Sequence, residues 1–483
     1  MSQATVGWRK LPLAVLFLVA DCARLGQAVM RSPQPRPQKR EVEELGSNPD
    51  QTSLEYCTLP QRSSSKMASS FYGVLFVVGL CAAICCVPPS NSPRGGCPRP
   101  SSTKSTPASQ VSSNNANFAF RLYRRLLAES PGQNVIFSPV SISTSLAMLS
   151  LGARSATKTQ VLESLGFNIT VISEASIHRG FQDLLLSLQV SSSDLGLRMG
   201  STLFISQDLQ LQAPFLADLR RLYETTVFPM DFSDSVVAQQ RINSYVKRET
   251  RGKVVDVVHD LDPLTTMVLV NHIFFKAKWT QPFNPADTNT SCPFLVGGQT
   301  PVRVPMMQQV EMFGFGVDPE LNCSVLQMRY KGDAVAFFIL PAKGRMRQLE
   351  AALSARRLKK WSRSLPSRWV HVFVPRFSIS ASYDLETILP KLGIHNAFNK
   401  NADFSGITKR HSLQVSKATH KAVLDVSEEG TEAVAATSTK LTVRSKDGPS
   451  YVFLLDRPFL MAIISKATDA ILFLGKVENP TQP

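Results

Sequence analysis

The sequence predicts an α+β fold in which helices come first and strands follow. Apolar residues recur at helical spacing over 118–127 and again over 142–151, and Gly152 marks the end of the second stretch. Later runs are rich in β-branched and aromatic residues, as in 267–275 and 334–340, and these runs predict strands. This order favours large antiparallel or mixed sheets over alternating βαβ units.

The main body is predicted to be one domain, from residue 116 to residue 483. Further strand-forming runs at 369–374, 459–464 and 470–474 continue the pattern, and neither a repeat nor a compositional break interrupts it. A chain of 483 residues, 43% hydrophobic and 19% charged, can bury a substantial core, which excludes disorder for the chain as a whole. Length alone would also permit two domains.

The basic balance of the chain does not identify a partner by itself. The 53 basic and 37 acidic residues give a formal net charge of +16. Such a charge suits nucleic acid, an acidic membrane or a sulfated sugar, and it also serves solubility alone. Because no nucleic-acid-binding motif accompanies the charge, we expect no nucleic-acid partner.

Two apolar runs near the N-terminus have the character of secretion signals. Two basic residues precede the run 11–20, which is too short to span a bilayer. Met67 opens a second such segment, with a nearly continuous apolar run over 71–87 before two prolines. We therefore predict that the functional chain starts at Met67 and is secreted to the extracellular space. The alternative is a membrane anchor formed by 71–87, which would keep the protein in the membrane fraction.

These signals divide the N-terminal part into three predicted segments. Residues 1–66 are an extension with a signal-like run, and residues 67–90 are the signal peptide. Residues 91–115 are rich in Ser, Pro, Thr and Asn, so we expect a solvated tail there. Three acceptor motifs for N-glycosylation agree with secretion: Asn168-Ile-Thr, Asn289-Thr-Ser and Asn322-Cys-Ser.

Cysteine and histidine usage argues against a disulfide framework and a metal site. Six of the eight cysteines lie in the first hundred residues, which leaves Cys292 and Cys323 for the rest of the chain. The seven histidines form no metal-binding pattern, and we find no phosphate-binding loop. We expect no metal and no cofactor other than the sulfated sugar discussed below.

Four separated segments resemble signature segments of the serpin family, in the serpin order. They are 134–142 (NVIFSPVSI), 242–246 (INSYV) with Thr250 and Gly252-Lys253, 268–276 (VLVNHIFFK) with Trp279, and 453–460 (FLLDRPFL). The resemblance spans about residues 116 to 480. Within the family the chain is most similar to the secreted, antitrypsin-like clade, as 415–421 and 428–432 indicate. The resemblance implies helices packed around three β-sheets with an exposed, insertable reactive loop.

The segment 427–450 is predicted to be a long loop that is able to become a strand. It is far longer than an ordinary connection of about 4 to 6 residues. Residues 431–443 contain neither Pro nor Gly, unlike a disordered linker. With the period of two of a strand, four small side chains share one face: Thr431, Ala433, Ala435 and Thr437. A face of small side chains suits insertion between existing strands over a packed core.

The resemblance assigns a reactive loop to residues 428–449. Its hinge is formed by Glu428, Glu429, Gly430, Thr431, Glu432, Ala433, Val434, Ala435 and Ala436. The family more often has alanine where this chain has Val434. Counting seventeen positions from Glu428 places the scissile bond at Arg444–Ser445. An arginine there would pair with a carboxylate in the specificity pocket of a trypsin-like serine protease.

The function that this resemblance implies is suicide inhibition, in which the protease attacks Arg444 and is trapped as a covalent acyl-enzyme when the loop inserts. The inhibitor would act as a monomer and supply no catalytic group. The alternative is a non-inhibitory serpin that carries a hydrophobic ligand, and the hinge composition favours inhibition. An enzyme is the weakest hypothesis, because Gly-x-Ser-x-Gly is absent.

Two further groups of residues are assigned by resemblance. Ser138, Ser141, Asn271, Trp279 and His420 match positions that support the sheet where it opens, and we expect the polar members to be hydrogen-bonded. A catalytic His420 is the alternative. A basic helix is predicted to bind a heparin-like glycosaminoglycan, with a solvated surface as the alternative. Its bases are Arg356, Arg357, Lys359, Lys360 and Arg363.

Overall fold

A computed structural model describes residues 107–409, 413–428 and 451–482. The helices among these residues are α1 (Pro107–Glu129), α2 (Pro139–Ser150), α3 (Ser155–Ser164), α4 (Glu174–Leu195), α5 (Ala213–Tyr223), α6 (Ser235–Glu249), α7 (Met346–Ala352), α8 (Ala355–Ser364) and α9 (Leu385–Ile388). The strands are β1 (Val135–Phe137), β2 (Arg198–Ser206), β3 (Val227–Met230), β4 (Met267–Phe275), β5 (Asn289–Val296), β6 (Thr300–Asp318), β7 (Cys323–Arg329), β8 (Ala334–Pro341), β9 (Ser367–Pro375), β10 (Phe377–Asp384), β11 (Lys417–Val426), β12 (Tyr451–Leu454), β13 (Phe459–Ser465) and β14 (Ile471–Val477). The α+β prediction is confirmed.

The first helix corrects the predicted boundary of the tail. Helix α1 begins at Pro107, inside the segment 91–115 that we expected to be a solvated tail. Proline suits the first turn of a helix, and Val111 is buried in the core. Ser112 and Asn115 are buried as well. The boundary was wrong because these small polar residues carry no apolar period, although they pack against the domain.

One sheet of five strands contains the pair of strands that matters most for function. Its strand order is β10–β11–β4–β2–β3. At its centre β11 runs parallel to β4, paired from Lys417 opposite Val268 to Leu424 opposite Phe275. Strand β4 is antiparallel to β2 on its other side, and every residue of β4 is buried. The uniform burial explains why the run 267–275 is continuously apolar apart from two polar residues.

The remaining nine strands form a second hydrogen-bonded sheet. Its order is β1–β14–β13–β8–β7–β6–β9–β12, and β5 pairs with β6. The long strand β6 pairs with β5 and β9 through its first part and with β7 through its last residues. Two of the three expected sheets are therefore continuous with each other through β6.

Helix α2 is buried along its whole length behind the five-stranded sheet. Ser138 caps its first turn by accepting a hydrogen bond from the Ser141 N–H, and Pro139 follows. The serine hydroxyls inside the helix are satisfied locally, because Ser143 and Ser145 donate to carbonyls three residues earlier. These local hydrogen bonds, together with the bond from Ser141 to Asn271 of β4, allow the serine side chains of the helix to be buried.

The described residues contain neither a membrane-spanning helix nor a group of side chains that could hold a metal ion. None of their helices is both long enough and apolar enough to cross a membrane. Cys292 and Cys323 are both buried. Within the same residues, no group of three or more His, Cys, Asp or Glu side chains could hold a metal ion. The predicted segments 1–66 and 67–90 lie outside the described residues.

Candidate functional site

The candidate site lies where the five-stranded sheet leads into the predicted reactive loop. Strand β11 ends at Val426. The next described strand after residue 428 is β12, which pairs with β9 in the nine-stranded sheet. The intervening residues 429–450 are outside the described part of the chain. The predicted hinge positions from Glu429 to Ala436 and the predicted bond Arg444–Ser445 therefore lie outside it too.

The parallel direction of β4 and β11 determines what can be inserted between them. A segment that leaves β11 through a turn runs back antiparallel to β11. Because β11 and β4 point the same way, that segment is antiparallel to β4 as well. Insertion would replace one parallel ladder with two antiparallel ladders, and antiparallel pairing is slightly more stable per residue.

A buried polar network joins helix α2 to both strands of this pair. Asn271 on β4 donates through Nδ2 to the Ser141 carbonyl (3.1 Å) and to Ser201 Oγ (2.9 Å). The Ser138 N–H donates to His420 Nε2 (3.1 Å). The ring proton of His420 is therefore on Nδ1, which donates to Asn271 Oδ1 (2.5 Å). The structure thus brings together the four polar residues that the sequence assigned to sheet opening.

Burial keeps this network uncharged. Desolvation, with a further contribution from the nearby His272, lowers the pKa of His420 to about 3. Its ring stacks on Tyr383, with ring centroids 6.3 Å apart, and the Tyr383 hydroxyl accepts from the Ile136 N–H. His420 has no solvent exposure. A fully enclosed, neutral imidazole suits structural hydrogen bonding rather than proton exchange with a substrate.

One hydrogen bond of the network crosses the strand pair that would open. His420 on β11 lies directly opposite Asn271 on β4 in the parallel register. The bond between these two side chains must break if a new strand enters, whereas the bonds from Asn271 to Ser141 and Ser201 do not cross the pair. The network therefore resists separation at this one bond and supports β4 from behind.

A second set of contacts fixes the end of β11. Trp279 Nε1 donates to the Ser427 carbonyl (2.9 Å), and its ring stacks on Tyr330 at 4.1 Å. The Phe283 N–H donates to the Glu428 carbonyl (2.9 Å). The Glu428 carboxylate is nearly buried and accepts from Thr288 Oγ1 (3.0 Å) and from Arg376 (3.2 Å). Glu428 is thus held by three contacts immediately before residue 429.

Sequence reasoning missed the partners of Glu428. Phe283, Thr288 and Arg376 belong to distant segments of the chain, and none of them forms a local motif with residue 428. The one available signal was indirect: a carboxylate at the first hinge position needs a cation or donors when it is buried. Nothing in the sequence said which cation that would be.

The basic helix α8 separates its charged residues into two groups. Arg356, Lys359, Lys360 and Arg363 are exposed, whereas Leu358 and Trp361 point into the core. Arg357 differs from the other four bases that are predicted to bind the glycosaminoglycan. It is partly buried and forms ion pairs with Asp318 and Glu320. Its charge is therefore largely used within the protein.

The three glycosylation acceptors lie at or near the surface. Asn168 is exposed, and its side-chain oxygen accepts from the Thr170 hydroxyl (2.6 Å) within the motif. Asn322 is exposed and has a positive φ of 48° in a turn before β7. Asn289 is half-buried at the start of β5. A glycan on Asn289 would have less room than one on either of the other two.

The first prediction concerns the network behind the strand pair. Replacing Asn271 with leucine is expected to lower the free energy of unfolding by about 3 kcal/mol or more, because several buried partners lose their hydrogen bonds at once. Urea unfolding measures the change. The matched control is Ser143→Ala, which removes one local bond in helix α2 and should cost about 1 kcal/mol or less. Equal effects of the two substitutions would contradict the proposed network.

The second prediction is that acid lowers the free energy of unfolding. Burial lowers the pKa of His272 to about 4 and that of His420 to about 3, below the ordinary value of 6.5. Below about pH 6.5 the unfolded state therefore takes up protons that the folded state does not, and stability falls as the pH falls. The loss should approach about 1.4 kcal/mol per pH unit for each histidine.

Urea unfolding at pH 7 and at pH 5 measures this loss. The pKa of Glu174 is lowered to about 2 by hydrogen bonds from His178 and Lys158, so this carboxylate affects stability only below about pH 4.5. The variant His272→Phe should lose less stability between the two pH values than the unmodified protein, because one of the buried histidines is gone. An unchanged free energy of unfolding between pH 7 and pH 5 would disprove the argument.

Comparisons with known proteins agree with the geometry. The family described as serpin (serine protease inhibitor) matches residues 113–480. Serpin A9 (centerin) of Homo sapiens is 70% identical over 417 residues, which cover 86% of this chain and all of that protein. Serpin A9 of Mus musculus is 64% identical over 413 residues, which cover 86% of this chain and 99% of that protein.

Solved structures place the same fold on this chain. A crystal structure of human thyroxine-binding globulin complexed with thyroxine has a TM-score of 0.74 at 50% identity, over 78% of this chain and all of that chain. Human kallistatin gives a TM-score of 0.73 at 46% identity, over 78% of this chain and all of the other. The resemblance to the serpin fold is thereby confirmed, and the function is inhibition rather than catalysis. The chain belongs to the serpin family of serine protease inhibitors.

Proposed function

We propose that this chain is a secreted inhibitor of trypsin-like serine proteases that is cleaved at Arg444–Ser445. The observation that carries the proposal is the parallel pair β4–β11, whose second strand continues directly into residues 429–450. Residues 431–443 contain neither Pro nor Gly, and the side chains at alternate positions from 431 to 437 are small. Both properties support conversion of the segment to a strand. Secretion is supported by the apolar run after Met67 and by the glycosylation motifs.

The proposed reaction uses the catalytic machinery of the protease. The protease serine Oγ attacks the carbonyl carbon of Arg444 and forms an ester. The bond to Ser445 breaks, and its nitrogen leaves with a proton as a new N-terminus. Residues 430–443 then insert between β4 and β11. A strand of this length spans about 45 Å, so insertion carries the attached protease far from its docking position and distorts its active site.

The choice of target class depends on the arginine. Guanidinium keeps its charge at every accessible pH and pairs with a carboxylate through two parallel hydrogen bonds. A protease with a buried carboxylate in its specificity pocket would therefore prefer Arg444. The inhibitor is proposed to act as a monomer that forms one covalent complex per molecule.

A mixing experiment tests this proposal. The purified secreted protein is mixed with trypsin, and a denaturing gel is examined for a covalent complex. Mass spectrometry then identifies the released peptide, which should begin at Ser445. Clean cleavage without a complex would contradict inhibition and favour the alternative of a hydrophobic-ligand carrier. That alternative is suggested by the relative thyroxine-binding globulin, whose human form is 48% identical over 421 residues.

A heparin-like glycosaminoglycan is the proposed modulator, bound by the exposed bases of α8. Arg356, Lys360 and Arg363 lie on one helical face and are exposed to solvent. Neutralising these three with glutamine should lower the salt concentration at which the protein elutes from heparin resin. The control replaces Arg241, Lys247 and Arg248, which are exposed on α6, and makes the same change in net charge. Equal elution of the two triple variants would remove the hypothesis.

A further inference from the structure

An apolar groove lies between the first turns of helix α1 and the segment 167–177, which connects α3 to α4 and forms the first turn of α4. Its floor consists of side chains that are 3% exposed or less: Val111, Phe167 and Ile177. Val171 lines the same groove and is 78% exposed. An exposed apolar side chain that borders an apolar groove is typical of a surface that another group covers.

A glycosylation acceptor lies in the turn that forms one wall of this groove. The backbone carbonyl of Asn168 accepts hydrogen bonds from the N–H groups of Val171 (3.1 Å) and Ile172 (3.0 Å). Both of these residues line the groove. The acceptor is therefore a single hydrogen-bonded turn away from the apolar surface.

The side chain of Asn168 is oriented by its own motif. Its Oδ1 accepts hydrogen bonds from the Thr170 N–H (3.0 Å) and from the Thr170 hydroxyl (2.6 Å). The side chain is exposed, and the sugar of an N-linked glycan is attached to Nδ2, the other end of the same amide. The oxygen thus holds the amide in place while the nitrogen carries the glycan.

The chemistry of the groove suits an uncharged sugar. Gln110, Ser173 and Ser176 complete its lining, and none of the described residues in the lining is charged. N-acetylglucosamine, the sugar that is attached to asparagine, has a face of C–H groups, an acetamido methyl group and hydroxyl groups at its edge. The C–H face and the methyl group match the apolar side chains, and the hydroxyl groups can bond to the amide and hydroxyl side chains.

We propose that this groove is the docking surface of the glycan on Asn168, whose first N-acetylglucosamine units cover Val171 and the apolar floor. Because this occupant is attached within the same turn, its effective concentration at the groove is high and docking costs little entropy. The glycan is then part of the folded structure. This inference rests on the proposed secretion, since N-linked glycans are added in the secretory pathway, and it is independent of the proposed inhibition at Arg444.

A double-mutant cycle in protein secreted from cultured mammalian cells tests the contact. Asn168→Asp removes the glycan but keeps an acceptor oxygen for Thr170, and Val171→Ser removes the apolar side chain without touching the acceptor motif. Mass spectrometry checks which asparagines carry a glycan. With the glycan present, Val171→Ser should raise the equilibrium constant for urea unfolding about five-fold, and in Asn168→Asp it should raise this constant about two-fold or less.

The matched control is Val190→Ser on helix α4. Val190 is 82% exposed and lies about 24 Å along the helix from its first residue, Glu174, so the glycan core does not reach it. Its effect on unfolding should be the same with and without the glycan. Equal effects of Val171→Ser in the two backgrounds, or glycans on Asn289 or Asn322 with none on Asn168, would overturn this inference alone. Absence of the protein from the culture medium would contradict the proposed secretion and, with it, this inference.

Discussion

Replacing Arg444 with glutamate is expected to lower the rate constant for complex formation with trypsin by about 1000-fold or more. The substitution removes the guanidinium that would pair with the carboxylate of the specificity pocket, and it places a like charge in that pocket. The reaction is quenched at set times, and denaturing gels of these samples measure the rate of complex formation. The hinge sequence is unchanged in this variant, so the loop should still be able to insert after cleavage. At residue 444 the variant should be recognised by proteases that prefer an acidic residue.

The control for this variant is Lys446→Glu, which makes the same charge change two residues away. It should alter the rate constant by about ten-fold or less, because an exposed rim charge contributes mainly through long-range attraction. If Arg444→Glu left trapping intact, the scissile bond would lie elsewhere, with Lys440 and Lys446 as the basic alternatives in the same loop.

The second large effect is expected from Thr431→Glu. Residue 431 belongs to the face of small side chains that would point toward the core after insertion. A buried carboxyl group without a partner costs several kcal/mol, so insertion should slow below the rate at which trypsin hydrolyses the ester. The protein should then be cleaved at Arg444 in full, while the yield of covalent complex falls from most of the protein to nearly none.

The matched control is Val434→Glu, three residues further along the same segment. Its side chain has the opposite parity and would point away from the core, so the complex yield should stay close to that of the unmodified protein. Equal loss of complex in both variants would show that the segment does not insert with the predicted register. Together with Arg444→Glu, the pair separates failure of recognition from failure of insertion.

Much of the fold was predictable because its patterns are strong and local. The run 267–275 is nearly all apolar, and the structure buries every residue of β4. The start of the domain was harder. Residues 107–115 form the first turns of α1, but the residues buried beside Val111 are the small polar Ser112 and Asn115, so the segment shows no apolar period. Propensity rules do not detect a segment whose order comes from tertiary packing.

The site shows the same division between local pattern and long-range contact. Four polar residues could be grouped by resemblance, but the hydrogen bond between Asn271 and His420 depends on a strand register that no local rule fixes. Arg357 was counted with its neighbours because helical spacing places it beside them. The carboxylates of Asp318 and Glu320 come from a different segment of the chain and occupy its guanidinium.

The parallel pair β4–β11 also affects how the protein behaves when it is stored at high concentration. An opening that accepts the chain's own segment 430–443 would accept the same segment from a second molecule, since both copies present identical side chains. Such an exchange is head-to-tail and does not close on itself, so it would grow into linear polymers. The cross-strand bond from His420 to Asn271 would then oppose association of the protein with itself as well as premature insertion.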